Sequence, residues 1–251
     1  MWQYRELIRN LTVADLKNKY QNTSLGFLWS ILSPLLLASI LYFVFRNVFK
    51  AEQNFAINLL VALMAWRFFT FGTSTCLASI VGRPSLVTKV YIRRQVIVLS
   101  IALSSLISSI LEFLVLLPII YVLLGRIPVT AALFPLYHLL FFFMVYGIGL
   151  FLSAVYVYLR DLDTIWQLLL QVLFFLSPIV YPISIFKNPT VIRVYMLNPL
   201  TRFIIMYRDA MVGGSLPSWG SLLIVVGFAV AALLIGSYAF ERLQRRFAEA
   251  I

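Results

Sequence analysis

"YQNTSLGFLWSILSPLLLASILYFVF" runs from Tyr20 to Phe45. Its first residues are polar and rich in amides. From Leu25-Gly26 onward the chain becomes apolar and stays uncharged until Arg46. About 20 apolar residues in a helix cover the ~30 Å hydrocarbon core of a bilayer, so Gly26–Val48 predicts a membrane span. A glycine stands where a polar segment meets that span, and glycine adopts backbone angles that other residues reach only with strain.

Five further spans follow outward from this one: Phe55–Ile80, Gln95–Leu124, Ala131–Leu159, Thr164–Tyr181 and Trp219–Phe240. The composition agrees. The 251 residues are 62% hydrophobic with a mean hydropathy of +0.97, more apolar surface than a soluble domain of this size can bury. The runs are continuous rather than alternating, which selects helices over a barrel. The expected fold is an all-α membrane protein of six transmembrane helices, forming a single domain over residues 1–251.

The net charge of +11 sits at the ends of the apolar runs. There it fits headgroups and topology rather than nucleic acid. Arg5, Arg9, Lys17, Lys19, Arg83, Lys89, Arg93, Arg94, Arg160, Arg242, Arg245 and Arg246 fall on one side; Arg46, Lys50, Arg126, Lys187, Arg193, Arg202 and Arg208 fall on the other. The larger set predicts that both termini face the cytoplasm. One cysteine, Cys76, and one histidine, His138, offer no disulfide and no metal cluster. The first 25 residues carry Arg5, Glu6, Arg9, Asp15, Lys17 and Lys19 without an apolar core, unlike a signal peptide.

Two segments predict amphipathic helices. Near the N-terminus, Tyr4, Leu7, Leu11 and Ala14 form one stripe, and Trp2, Val13, Leu16 and Tyr20 form another on roughly the opposite side. This suits a helix lying on the membrane, with something packed on it or serving as a plain anchor. Pro182–Pro217 is too apolar for a simple loop and is broken by Pro189 and Pro199. It is expected at the outer surface, partly embedded. Ser177-Pro178 and Pro182 end the fifth span, as either a re-entrant, cavity-lining turn or a plain terminus.

Buried charge is costly in a membrane and points to function. Arg67, in "AWRFF", is expected about 16 Å into the second span. Glu112 is expected in the third span, near the outer leaflet. Three readings of Arg67 stay open: it pairs with Glu112, it faces the pathway and meets a pyrophosphate, or it snorkels to the interface. No G-x-x-x-x-G-K-[ST] occurs, and "GRPSLVTK" (Gly82–Lys89) lacks the second glycine. The chain is therefore not an ATPase by a P-loop, and a motor would be another polypeptide.

"SLGFLWSILSPLL" (Ser24–Leu36), "RDLDTIWQLLLQVLFFLSPIVYP" (Arg160–Pro182) and "NPLTRFIIMYRDAMVGG" (Asn198–Gly214) resemble the permease subunits of bacterial ABC-2 type polysaccharide exporters, the O-antigen, capsule and teichoic-acid export family. The resemblance implies a transport subunit rather than an enzyme, in the bacterial inner membrane. It implies a homodimer whose two copies enclose the conduit for a lipid-linked polysaccharide, with two ATPase subunits that carry the ATP and magnesium. This chain is expected to bind no cofactor itself. Arg83, Pro84, Ser85, Lys89, Arg160, Asp161 and Asp163 would form the coupling segments, unless these are ordinary solvated turns. Leu25 and Gly26 would form a hinge, or else a static corner. Pro178, Pro182, Asn198, Pro199, Arg202 and Arg208 would belong to an outer gate. Trp29, Tyr42, Trp66, Arg67, Phe174, Phe175, Tyr181 and Tyr195 are candidates for the pathway, where aromatic faces let sugar rings slide; simple packing is the alternative for each. A permease for a drug or small lipid, a membrane enzyme acting on lipid-linked sugars, and a passive channel remain as rivals.

Overall fold

The computed structural model describes residues 4–21, 26–45, 54–89 and 92–247, with the backbone alone for Thr88, Lys89 and Arg246. Trp2, Ser24, Leu25, Arg46, Val48 and Lys50 lie outside the described residues. Among the described residues there is no strand. The α-helices are α1 (Arg5–Tyr20), α2 (Leu28–Phe45), α3 (Phe55–Ala78), α4 (Pro84–Lys89), α5 (Gln95–Leu124), α6 (Phe134–Tyr156), α7 (Leu162–Phe175), α8 (Pro189–Tyr195), α9 (Pro199–Arg208) and α10 (Trp219–Leu243).

The centre of the bundle is α3, buried on nearly every side, as a helix apolar all round should be. It runs parallel to α6: Phe68 meets His138 at 4.5 Å between ring centres, and Phe69 stacks on Phe141 at 6.2 Å. It runs antiparallel to α5, where Thr75 Oγ1 lies 3.4 Å from Ser105 Oγ and Cys76 Sγ 3.9 Å from the carbonyl of Val98. The helix α2 turns back onto α3 through Tyr42, whose ring stacks on Phe55.

The helices α6 and α10 run in the same direction. Gly147 sits against the backbone of Ala232, Leu233 and Gly236, and the Tyr158 hydroxyl donates to the carbonyl of Leu243. The chain between them must therefore return through the thickness of the bundle.

Five helical segments are long and apolar enough to cross a membrane: Leu28–Phe45, Phe55–Ala78, Gln95–Leu124, Val129–Tyr156 and Trp219–Leu243. The expected span 164–181 is different. Its helix, α7, has 14 residues, about 21 Å at 1.5 Å per residue, short of the ~30 Å needed. It ends where Pro178 withholds an N–H and pushes Ser177 out of helical geometry. Antiparallel to α3, it is held by Trp166 Nε1 donating to Thr73 Oγ1 (3.1 Å) and by Phe174 against Trp66 (5.6 Å). Beyond it, residues 176–182 continue without helix to the Asn58 end of α3, where Arg208 donates to the carbonyls of both Asn58 and Ile179. The chain then turns back: the Asn198 side-chain amide donates to Ser177 Oγ at 3.0 Å. Asn198 caps α9 through Leu200 N–H, with Pro199 at its first position. From there α9 climbs outward again, placing Phe203 on Phe141, Tyr207 on His138 and the carbonyl of Ala210 on the Thr130 hydroxyl.

The N-terminal helix also departs from expectation. Thr12 Oγ1 donates to the carbonyl of Ser100 and Tyr20 OH to Ser108 Oγ. A step of eight residues along α1 matches a step of eight along α5, so the two lie side by side and nearly parallel. Its covered face runs through Ile8, Thr12, Leu16 and Tyr20, while Val13 and Ala14 are exposed. The cause is the serine-rich flank of α5. Ser100, Ser104, Ser105, Ser108 and Ser109 are all buried, and small side chains admit a close neighbour and offer it acceptors.

Candidate functional site

A groove of about 580 Å³ opens between α3 and α7. From α3 come Trp66, Arg67, Thr70, Phe71 and Ser74; from α7 come Gln167, Leu170, Gln171, Phe174 and Phe175. The spacing explains the composition. Thr70 and Ser74 stand one turn apart, as do Gln167 and Gln171, so each helix turns a row of hydrogen-bonding groups inward. Aromatic faces alternate with them: Phe174 meets Trp66 edge-on at 5.6 Å and Phe175 at 5.4 Å. Such a surface combines donors and acceptors with flat apolar platforms, the pairing that sugar rings require.

Arg67 stands at the groove's wall and is held from behind by Glu112, with 3.4 Å from Nε to Oε2. Of the readings left open above, the pair is what the side chains form. The arginine side chain is 30% exposed and the glutamate 4%, so only the cation looks into the groove. Through this pair Glu112 is level with the middle of α3. Lys19 and Ser30 both lie close enough to act on the same carboxylate. The Lys19 ammonium sits 4.0 Å from the centre of the Phe71 ring, and Ser30 Oγ donates to Tyr20 OH at 3.4 Å. The end of α1 and the start of α2 therefore meet beside this cluster. Tyr20 also meets Phe27 edge-on at 5.4 Å, and Gly26 has φ +50°, a conformation costly for residues with a Cβ.

Four of the eight expected pathway residues line this groove: Trp66, Arg67, Phe174 and Phe175. The others do not. Trp29 is exposed on α2, and Tyr42 is against Phe55. Tyr181 and Tyr195 share a hydrogen bond of 3.2 Å in the outer segment, with Phe186 beside them. Thr70, Phe71, Ser74, Gln167 and Gln171 were not anticipated; the two amides and two hydroxyls at one-turn spacing are the signal that could have found them.

The expected gate residues hold backbone. Arg202 donates to the carbonyl of Met196 at 2.7 Å, and Arg208 and Asn198 act as described above. Pro178 is buried and Pro182 partly so. At the opposite end of the bundle Pro84 opens α4, and Pro84, Ser85, Arg160, Asp161 and Asp163 are exposed. Arg83 pairs with Asp15 of α1, tying the α3–α4 turn to the N-terminal helix. Burial raises the Asp15 carboxyl above the usual range, against the pull of Arg83. Among the described residues no group of His, Cys, Asp and Glu could hold a metal ion.

These features define a polytopic helical membrane protein with a side groove. The chain belongs to the ABC-2 type transporter family, whose membrane-protein pattern matches residues 6–212. It is similar to the O-antigen export system permease protein RfbA of Myxococcus xanthus, 30% identical over 257 residues that cover 100% of this chain and 97% of that protein. It is similar also to an RfbA of Klebsiella pneumoniae, 28% identical over 250 residues, covering 97% of this chain and 94% of that protein.

Proposed function

We propose that this chain is the transmembrane subunit of an exporter that moves a lipid-linked, O-antigen-like polysaccharide across the bacterial cytoplasmic membrane. The observation that carries the reading is the end-to-end likeness to O-antigen permeases. The α3–α7 groove, with aromatic platforms and hydrogen-bonding rows, supports a glycan cargo. Two copies form the conduit. A separate pair of ATPase subunits binds ATP and magnesium and docks at Arg83, Pro84, Ser85 and Lys89 and at Arg160, Asp161 and Asp163. The concentration of Arg83, Arg93, Arg94, Arg160, Arg242 and Arg245 at that end supports a cytoplasmic face there. The broken segment 162–183 completes a sixth crossing, and the turn around Pro182, Asn198 and Pro199 faces outward.

Removing the gene from a polysaccharide-producing host is expected to abolish surface glycan and leave lipid-linked polymer inside the cell, with both defects corrected by the wild-type gene. Surface glycan at normal levels without this chain, and with no second permease present, would overturn the assignment.

The Leu25-Gly26 joint gives a finer prediction. Among the described residues a Cβ on Gly26 would meet only the Tyr20 carbonyl oxygen, at 3.8 Å, an ordinary contact. The cost of Gly26→Val is then backbone strain alone, about 1–2 kcal/mol. Membrane levels of the variant are expected to stay near wild type while export of labelled polysaccharide falls several-fold. Unchanged export would reduce the joint to a fixed corner.

A further inference from the structure

The groove has one charged wall and no countercharge of its own. Its lining contains Arg67 and no carboxylate. Glu112 approaches the guanidinium at Nε, and the arginine side chain, 30% exposed, lines the groove. Arginine carries five donors in a plane, a geometry matched to two oxygens of a phosphate. The carboxylate behind it has a second cation in its neighbourhood, the Lys19 ammonium that sits 4.0 Å from the centre of the Phe71 ring. Arg67 can therefore be shared or released without leaving Glu112 as an isolated buried anion, the arrangement that makes most buried pairs immovable.

We infer that the α3–α7 groove is a binding site for a phosphate-type anion, with Arg67 as its ligand and Glu112 as the resting counter-ion that the ligand displaces. Gln167 and Gln171 donate to the same anion from the facing helix, and the Phe174 and Trp66 faces take the apolar or sugar portion next to it. The Lys19 charge balances Glu112 while Arg67 is engaged. Among cargoes this suits a molecule whose anion and glycan are joined, so it deepens the exporter reading by assigning one residue to the head of the cargo. That last step alone rests on the exporter reading.

The test is direct binding to the full-length chain in lipid nanodiscs, with farnesyl pyrophosphate as probe and farnesol as its phosphate-free match, followed by tryptophan fluorescence and calorimetry. Wild-type protein is expected to bind the pyrophosphate at least about ten-fold tighter than the alcohol, the scale of a charge-assisted hydrogen-bonded pair. Arg67→Gln should remove that difference. Glu112→Gln should tighten binding, about three-fold or more, because it removes a competitor and keeps a hydrogen-bonding partner for Arg67. Gln171→Ala, on an exposed position of α7, should weaken binding about five-fold without touching the pair. Competition by inorganic pyrophosphate would assign the site to free anions, and its failure to compete would assign it to a lipid-carried headgroup. Equal affinity for farnesol overturns the site. So does Glu112→Gln that folds normally but binds more weakly, the outcome of a purely structural pair. Binding is read without transport, so intact binding with no role in export would strike the exporter reading and leave the site standing.

Discussion

Gly236→Val is expected to strip α10 from the bundle. α10 buries only Val225, Ala229, Gly236 and Phe240, a single narrow seam, and that seam lies mainly on α6. A Cβ at Gly236 would fall 2.8 Å from the carbonyl carbon of Gly147 and nearer still to its oxygen. Neither atom is the end of a flexible side chain, so relief requires the two helices to move apart along their whole contact. Between helices in lipid there is no hydrophobic drive to compensate, and packing supplies most of the attraction. A loss of about 3 kcal/mol or more is expected, the upper range for overpacking. Thermal unfolding in detergent should show it, with lower yield from membranes. Gly227→Ala is the control: nothing stands within 4 Å of a Cβ there, and its midpoint should stay near wild type or rise slightly. A Gly236→Val protein as stable as wild type would mean that α10 is seated elsewhere.

Tyr207→Ala should have a comparable effect for a different reason. Its ring is fully buried among Phe113, Phe134 and Phe141, and its hydroxyl is 2.7 Å from His138 Nδ1. Removing it opens a cavity and leaves the imidazole without a partner, since His138 Nε2 already has none among the described residues. Truncating a buried aromatic costs about 3–5 kcal/mol. Tyr207→Phe keeps the volume and loses only the hydrogen bond, about 1–3 kcal/mol. Limited proteolysis should show the difference: segment 182–217 is cut readily in the alanine variant and slowly in the phenylalanine one. Equal protection in both would show that α9 is not anchored through this ring.

Much of the architecture was legible because a membrane imposes a length rule. Five uninterrupted apolar runs became five long helices, with ends displaced by only a few residues. The rule failed where the chain does not obey it. Residues 164–181 have the composition of a span, yet Pro178 stops α7 short and side chains of Asn198 and Arg208 replace the missing helical partners. Periodicity misjudged α1 in another way. It counts apolar residues, and the contacts that orient this helix are hydroxyls, Thr12 and Tyr20, whose acceptors lie 88 positions away. As for the groove, its aromatics stood out by type, while Gln167, Gln171, Thr70 and Ser74 were passed over as incidental polar residues within apolar runs.

The shared direction of α6 and α10 has a mechanical consequence. Between two rods pointing the same way, the polypeptide makes its return with half a rod and a wedge. The wedge is pinned at a few atoms: Asn198 to Ser177, Arg208 to two carbonyls, Tyr207 to His138. A rod must tilt as one piece, but a wedge on pins can slide while the frame stays still, so the half of the membrane that holds it is where the barrier is softest.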